Sequence, residues 1–300
     1  MLPLKTYIKN PRILLSSILR EYGFWIPDKL YLKMFYFLNT GKTLNIKNPQ
    51  TFGEKLQWLK LYDRRPEYTM MVDKYAVKDY VASIIGQEYV IPTLGVWDKS
   101  EEIDVDKLPT KFVLKTTHGG GGVGVILCKD KSTLNINTVV LSLKKAMKQN
   151  IYQELREWPY KNVKRRIIAE KYIENNEEDL IDYKFFCFNG IPKYCQVISG
   201  RNDVMSIDFY DKEWCHQPFH EPKNYPFSEK SITPPKSLHL MLCFAQRLSA
   251  GIPFIRVDFY EVDGHPYFGE LTFYPTSGVG GFNPEEWDHV LGDFITVTET

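Results

Sequence analysis

Two groups of residues in this 300-residue chain have the types and spacing to handle phosphate oxygens. The first is Lys115 followed by Gly119, Gly120, Gly121, Gly122 and Gly124. Glycines let backbone N–H groups approach an anion closely, and a lysine adds a point charge. The lysine precedes the glycines, so this is not a P-loop, and no helix follows, so it is not a dinucleotide fingerprint. A glycine-rich hairpin covering a triphosphate fits; on the glycines alone, a flexible loop reads equally well. The second group is Arg256, Asp258 and Glu270. Arg256 and Asp258 share one strand face by the period of two, and an Asp263-Gly264 turn returns Glu270 beside Asp258. Paired carboxylates are hard ligands for a divalent cation bridging phosphates, and an arginine beside them can stabilise charge on a transferring phosphoryl group. Ile255, Val257, Phe259, Phe268 and Leu271 make the other face apolar, which favours this reading over a surface salt bridge.

Three further stretches are weaker. The run Ile167-Ile-Ala-Glu-Lys-Tyr-Ile173 is an interior strand that could present hinge backbone groups to adenine. Asp182 and Lys184 face one way on the next strand, and Arg201 lies past the end of its return strand. A solvated strand face is the plainer reading of those three.

The elements that must position these residues follow from periodicity and turn chemistry. Residues 1–65 read as helical, with Leu30, Met34, Phe37 and Leu38 at helical spacing and a helix start at Thr51. A helix is expected over 74–84 and another over 134–156. Strands are expected near 89–97, 112–115, 123–128 and 166–173. Asn189-Gly190 and Asp263-Gly264 mark hairpins of 183–188 with 192–198 and of 254–261 with 267–271. A strand pair is expected at 208–210 and 212–215, and a helix over 234–251. Strand pairs mixed with helices give an α+β fold with largely antiparallel sheets.

Hydrophobic residues make up 43% and charged residues 25%, as in a soluble globular protein. Lys and Arg total 38 against 37 Asp and Glu, so no global field recruits nucleic acid, and none is expected as a partner. Five cysteines without C-x-x-C spacing fit a reducing, cytoplasmic compartment. Residues 1–40 mix Lys5, Lys9, Arg12 and Arg20 with many apolar residues. They fit a helix lying on a membrane or, as the favoured expectation, one packed on the rest of the protein.

The order of these motifs resembles the ATP-grasp superfamily and, more narrowly, the TupA-like ATP-grasp family of bacterial surface-polysaccharide gene clusters. The resemblance is carried by Asn48-Pro-Gln-Thr-Phe-Gly-Glu-Lys55 with Trp58, Asp73-Lys-Tyr-Ala-Val-Lys78, and Phe112-Val-Leu-Lys-Thr-Thr-His-Gly-Gly-Gly-Gly122. Arg156-Glu-Trp-Pro-Tyr-Lys161, Asp182-Tyr-Lys-Phe-Phe-Cys-Phe-Asn-Gly190, Val257-Asp-Phe-Tyr-Glu261 and Phe268-Gly-Glu-Leu-Thr-Phe-Tyr-Pro275 complete it. It implies an ATP-grasp fold with a helical region over 1–65, an N-terminal part over 66–110, a lid with a glycine-rich flap over 111–175 and a catalytic part over 176–300.

The resemblance also implies roles. Lys78 and Lys115 would reach the phosphates of ATP under the glycine flap. Glu170, Lys171, Tyr172 and Ile173 would form the adenine hinge, and Asp182, with Glu178 as a rival, would take the ribose. Lys184 and Arg201 would serve catalysis, Arg256 would stabilise an acyl phosphate, and Asp258 and Glu270 would hold Mg²⁺. Thr272 stands where ATP-grasp ligases usually carry asparagine; the TupA-like pattern itself carries threonine. The implied activity is ATP-dependent joining of a carboxylate to an amine, on a small-molecule or glycan substrate of a surface polysaccharide. Placement would be cytoplasmic, with peripheral contact to membrane or lipid-linked glycan. A phosphotransferase acting on a sugar, a non-catalytic assembly protein and a glycosyltransferase-type protein are the alternatives.

Overall fold

The computed structural model describes residues 10–174, 180–200, 204–221, 225–228 and 231–297. Helices α1 (Pro11–Tyr22) and α2 (Asp28–Thr40) form a hairpin, and Gly41 in the left-handed region ends the second. Thr51 and Glu54 build a reciprocal capping box at the start of α3 (Phe52–Tyr62). After α4 (Glu67–Val72) comes α5 (Val77–Ile85), which begins later than its periodicity predicts. The cause is Asp73, whose Oδ1 accepts from the N–H groups of Tyr75 and Ala76 and holds 73–76 in a turn.

Strands β1 (Thr93–Trp97), β2 (Phe112–Thr116) and β3 (Val125–Cys128) precede α6 (Ile136–Ala146) and α7 (Ile151–Leu155). The single helix expected over 134–156 is therefore two. Asn150 caps the second by accepting from Gln153 N–H, a stronger local signal than the apolar periodicity across the break. Then follow β4 (Ile167–Lys171), β5 (Asp182–Phe188), β6 (Ile191–Ser199), β7 (Ser206–Asp211), α8 (Leu238–Leu248), β8 (Phe254–Val262), β9 (His265–Thr272) and α9 (Glu286–Asp293). Residues 212–215, expected as a strand, make a turn in which Asp211 accepts from the N–H groups of Glu213 and Cys215.

Both sheets are antiparallel, so the fold is α+β. The smaller runs β1-β4-β2-β3 and the larger β7-β6-β5-β8-β9. In the larger sheet the Asn189-Gly190 and Asp263-Gly264 turns have positive φ at all four residues, the geometry that two-residue hairpins require. One face packs Phe185, Cys187, Val257 and Phe259 toward α8. The other is aromatic at one end, where Phe52 of α3 sits among Phe186, Phe188 and Phe254, and ionic at the other. The smaller sheet has its own core of Phe112, Leu114, Ile167 and Ala169 against Val139 and Leu143 of α6.

Candidate nucleotide and metal site

The ionic end of the larger sheet is set by register. Lys184 on β5 pairs with Asp258 on β8, Asp258 with Glu270 on β9, and Arg256 with Thr272. Directly paired residues point to the same side, so these five side chains converge. A period of two would put Phe268 and Glu270 on one face. The register shift between Asp258 and Phe259 leaves Gly269 as the extra, bulged residue. Phe268 therefore joins Phe259 in the core while Glu270 joins Asp258 in the site. A Cβ at Gly269 would lie 3.1 Å from the Asp258 carbonyl oxygen and 3.2 Å from the Tyr260 ring, a tight fit that glycine relieves.

Asp258 is bonded at both carboxylate oxygens. Its Oδ1 accepts from Arg256 Nε at 2.7 Å, and its Oδ2 accepts from Arg256 Nη2 at 2.7 Å and Lys184 Nζ at 2.6 Å. The second Arg256 branch also reaches Thr272 Oγ1 at 3.2 Å and Glu270 Oε1 at 3.4 Å. Burial would push the Glu270 carboxyl up. The cations around it, Lys74 first and then Lys184 and Arg256, outweigh burial and hold it down to about 2. Asp182 is buried near Lys184, whose Nζ lies 3.6 Å from Asp182 Oδ1.

Facing this end is a second ionic cluster on the smaller sheet, the turn before α5 and the first turn of that helix. Glu170 on β4 is buried between Lys78 Nζ at 2.7 Å and Lys115 Nζ at 2.5 Å. Burial pushes its carboxyl up, yet Lys115 and Lys78 hold it below the ordinary range. Lys74, Lys78, Lys115, Glu170, Val90, Ile91, Phe268 and Gly269 line one cleft between the two sheets. Lys74 bridges them: its Nζ lies 3.9 Å from Glu270 Oε2 and donates to the Gly119 carbonyl of the glycine loop. At Gly121 and Gly122 that loop has positive φ with open space around both.

Lys78, Lys115, Glu170, Lys184, Arg256, Asp258, Glu270 and Thr272 thus fall in two facing clusters. Gly119 touches one of them through Lys74. Glu170 and Lys171 lie within β4, where Glu170 pairs with Thr93 and Val113 and the Lys171 N–H donates to Pro92 O. Tyr172 and Ile173 continue past the strand. The side chain that matters at the expected hinge is Glu170 itself, the shared counter-ion of two lysines. Arg201 and Glu178 lie outside the described residues.

Sequence reasoning missed two residues. Lys74 precedes Lys78 in the same motif, and only the Asp73 turn reveals that it faces Glu270. Lys60 on α3 is fully buried and donates to Ser277 O and Ser277 Oγ at 2.9 and 2.7 Å, anchoring the loop that follows β9. Burial pushes its ammonium down to about 8, against the pull of Glu157. Its signal was a lysine on the apolar side of a helix. His118, whose place beside the glycines reads equally as a phosphate or substrate contact and as a flap residue without a catalytic role, is buried with neither ring nitrogen hydrogen-bonded.

Burial, with Arg165 and Lys74, pushes His118 down to about 4. The folded state therefore holds it neutral where the unfolded chain protonates it. Stability is lost as pH falls from about 6.5 toward about 4. Between pH 7 and 5, urea titrations should show the wild type losing on the order of 1 kcal/mol more than His118→Gln. Equal losses in the two proteins would contradict the burial of a neutral ring.

Among solved structures, D-alanine–D-alanine ligase from Bacillus anthracis complexed with ATP is 16% identical, with a TM-score of 0.39, covering 68% of this chain and 54% of that one. D-alanine–D-alanine ligase from Helicobacter pylori is 13% identical, with a TM-score of 0.44 and coverage of 83% and 70%. L-amino acid ligase from Bacillus licheniformis is 14% identical, with a TM-score of 0.42 and coverage of 76% and 50%. The chain thus spans about half the length of the Bacillus anthracis enzyme, and likeness at this level says nothing about activity. No curated protein matches the chain. The family described as TupA-like ATPgrasp matches residues 54–296, a stretch that takes in both ionic clusters and the glycine loop. The chain belongs to the TupA-like ATP-grasp family.

Proposed function

We propose that this chain is an ATP-dependent carboxylate–amine ligase that proceeds through an acyl phosphate. The observation that supports it best is the register of β5, β8 and β9, which sets Lys184, Arg256, Asp258 and Glu270 on one face opposite Lys74, Lys78 and Lys115. Such a cleft suits a polyphosphate: lysines and an arginine neutralise charge that spreads over phosphoryl oxygens, so catalysis is positioning and electrostatics. Lys78, Lys115 and Lys74 would hold the phosphates, with the glycine loop above them to exclude water from the acyl phosphate. Arg256 and Lys184, now spent on Asp258, would turn toward the transferring group.

Mg²⁺ fits the donor chemistry. Asp258, Glu270 and the Thr272 hydroxyl are hard oxygen ligands on one face. Among the described residues no cluster of three or more His, Cys, Asp or Glu could hold a metal alone, so the cation would share its shell with phosphate oxygens. When bound it would supply neutralisation of the phosphoryl charge. The substrates, a uronic acid or acidic glycan and an amine or amino acid of a bacterial surface polysaccharide, rest on the family resemblance, as does work in the cytoplasm.

With Mg·ATP, an acid and an amine, ³¹P spectroscopy should show ADP and free orthophosphate forming in equal amounts. Phosphate appearing as a stable sugar ester would replace this reading with phosphotransfer. The Gly269→Val side chain should crowd the cleft and the Asp258 carbonyl. Nucleotide affinity in a titration should drop about tenfold, in line with overpacking of roughly 1–2 kcal/mol. An unchanged affinity would place the nucleotide elsewhere.

A further inference from the structure

Helices α1 and α2 bury one side and leave the other bare. On α1, Ser16 and Leu19 face inward, and Arg20 reaches Glu154 of α7 at 3.2 Å. Leu14, Leu15, Ile18 and Tyr22 are exposed on the opposite arc. On α2, Tyr31, Leu32, Phe35 and Tyr36 are buried, while Leu30, Met34 and Phe37 are exposed at i, i+4 and i+7. The two helices run antiparallel, with Ser16 bonded to Asn39 and Gly23 against Tyr31. At 100° per residue, that packing turns both exposed stripes to the same outer side. The connection between them carries Phe24 and Trp25, 63% and 73% exposed. The result is one apolar surface larger than scattered exposed residues account for.

Its charges are one-sided. Arg12, Lys29 and Lys33 are exposed, and no described carboxylate pairs with them. Of the two acids in this hairpin, Asp28 is bonded to Arg64 and Arg156, leaving Glu21. We infer that this face docks on a membrane with anionic headgroups. The aliphatic stripes and the Trp25 ring would enter the headgroup–acyl boundary while the lysines and Arg12 meet lipid phosphates. Two copies meeting patch to patch would instead bring together two basic rims with little acid to offset them. No helix of the described residues is long and apolar enough to cross a membrane, so the contact is peripheral. Docking of this kind is independent of the ligase activity.

Flotation of the purified protein with vesicles tests it. The wild type should float with phosphatidylcholine–phosphatidylglycerol vesicles, weakly with phosphatidylcholine alone, and less at high salt. The double variant Phe24→Ser, Trp25→Ser should lose flotation. The pair Lys29→Ala, Lys33→Ala should weaken binding by roughly thirtyfold, at the expected strength of each lysine near an anionic surface. All are surface changes, and thermal melting and ADP release should match the wild type. If the serine variant melts early, the lysine pair alone decides. No flotation of the wild type, or flotation that neither variant changes, would overturn docking through this face. So would a wild-type dimer that becomes monomeric in the serine variant without any lipid binding, since the patch would then serve self-association.

Discussion

Glu270→Gln should lower Mg·ATP turnover by about a thousandfold, the upper end for removing one electrostatic stabiliser from a site. Glu270 is the residue on which both clusters converge. Arg256 and Thr272 reach its Oε1 from one side, and Lys74 lies 3.9 Å from its Oε2 on the other. An amide keeps the shape and one acceptor oxygen but removes the charge that those cations hold ionised down to about pH 2. The fold should survive, because the opposite face of β9 carries the packing. A second readout follows from linkage. A carboxyl depressed in the folded state contributes stability above its unfolded range and loses it as pH falls toward about 2. Acid denaturation between pH 4.5 and 2 should therefore be shallower in the variant. Steady-state ADP release within threefold of the wild type would remove Glu270 from the chemistry.

The second large effect is on stability. In Glu170→Gln, Lys78 and Lys115 lose their shared counter-ion while remaining mostly buried. Breaking a buried ion pair by removing one partner costs about 3–5 kcal/mol, which for a chain of this size lowers Tm by roughly 5–10 °C. The two ammonium groups are then a stronger anion site than before, so ATP should raise the Tm of the variant more than that of the wild type by mass action. Differential scanning calorimetry with and without ATP reads both effects. A Tm unchanged in the variant, with equal shifts on adding ATP, would mean that the lysines do not depend on Glu170 and do not face the nucleotide.

How much of this was legible in the sequence follows the range of the forces involved. In the sequence, the Asp-Gly turn and the period of two set Arg256 and Asp258 on one strand face with the strand of Glu270 returning alongside, because hairpin register is a local property. Lys184 joins them only through the long-range pairing of β5 with β8, which no turn signal sets. The Gly269 bulge was also written there. Phe268 and Leu271, both apolar, are three apart and can share a face only across an inserted residue. Glu170 was not legible as a counter-ion, since an apolar strand does not announce which lysines from other elements will meet its one carboxylate. Lys74 was hidden because a helix pattern and an Asp-led turn compete over the same four residues, and the side-chain bonds of Asp73 win. On α2 the helical stripe of Leu30, Met34 and Phe37 was read correctly as a stripe but not as an outward one. Periodicity says that a face is apolar, not what covers it. The full burial of Lys60 depends on a loop more than 200 residues away.

The central claim, that this cleft activates a carboxylate with ATP, is tested most directly by trapping with hydroxylamine. The protein would be incubated with Mg·ATP, hydroxylamine and a panel of uronic and amino acids, and ADP and hydroxamate measured together. ADP and hydroxamate in equal amounts with one acid, both lost in Glu270→Gln, is the predicted result. ADP release with no hydroxamate from any acid and phosphate found on a sugar hydroxyl, or no binding of ATP at all, would contradict it.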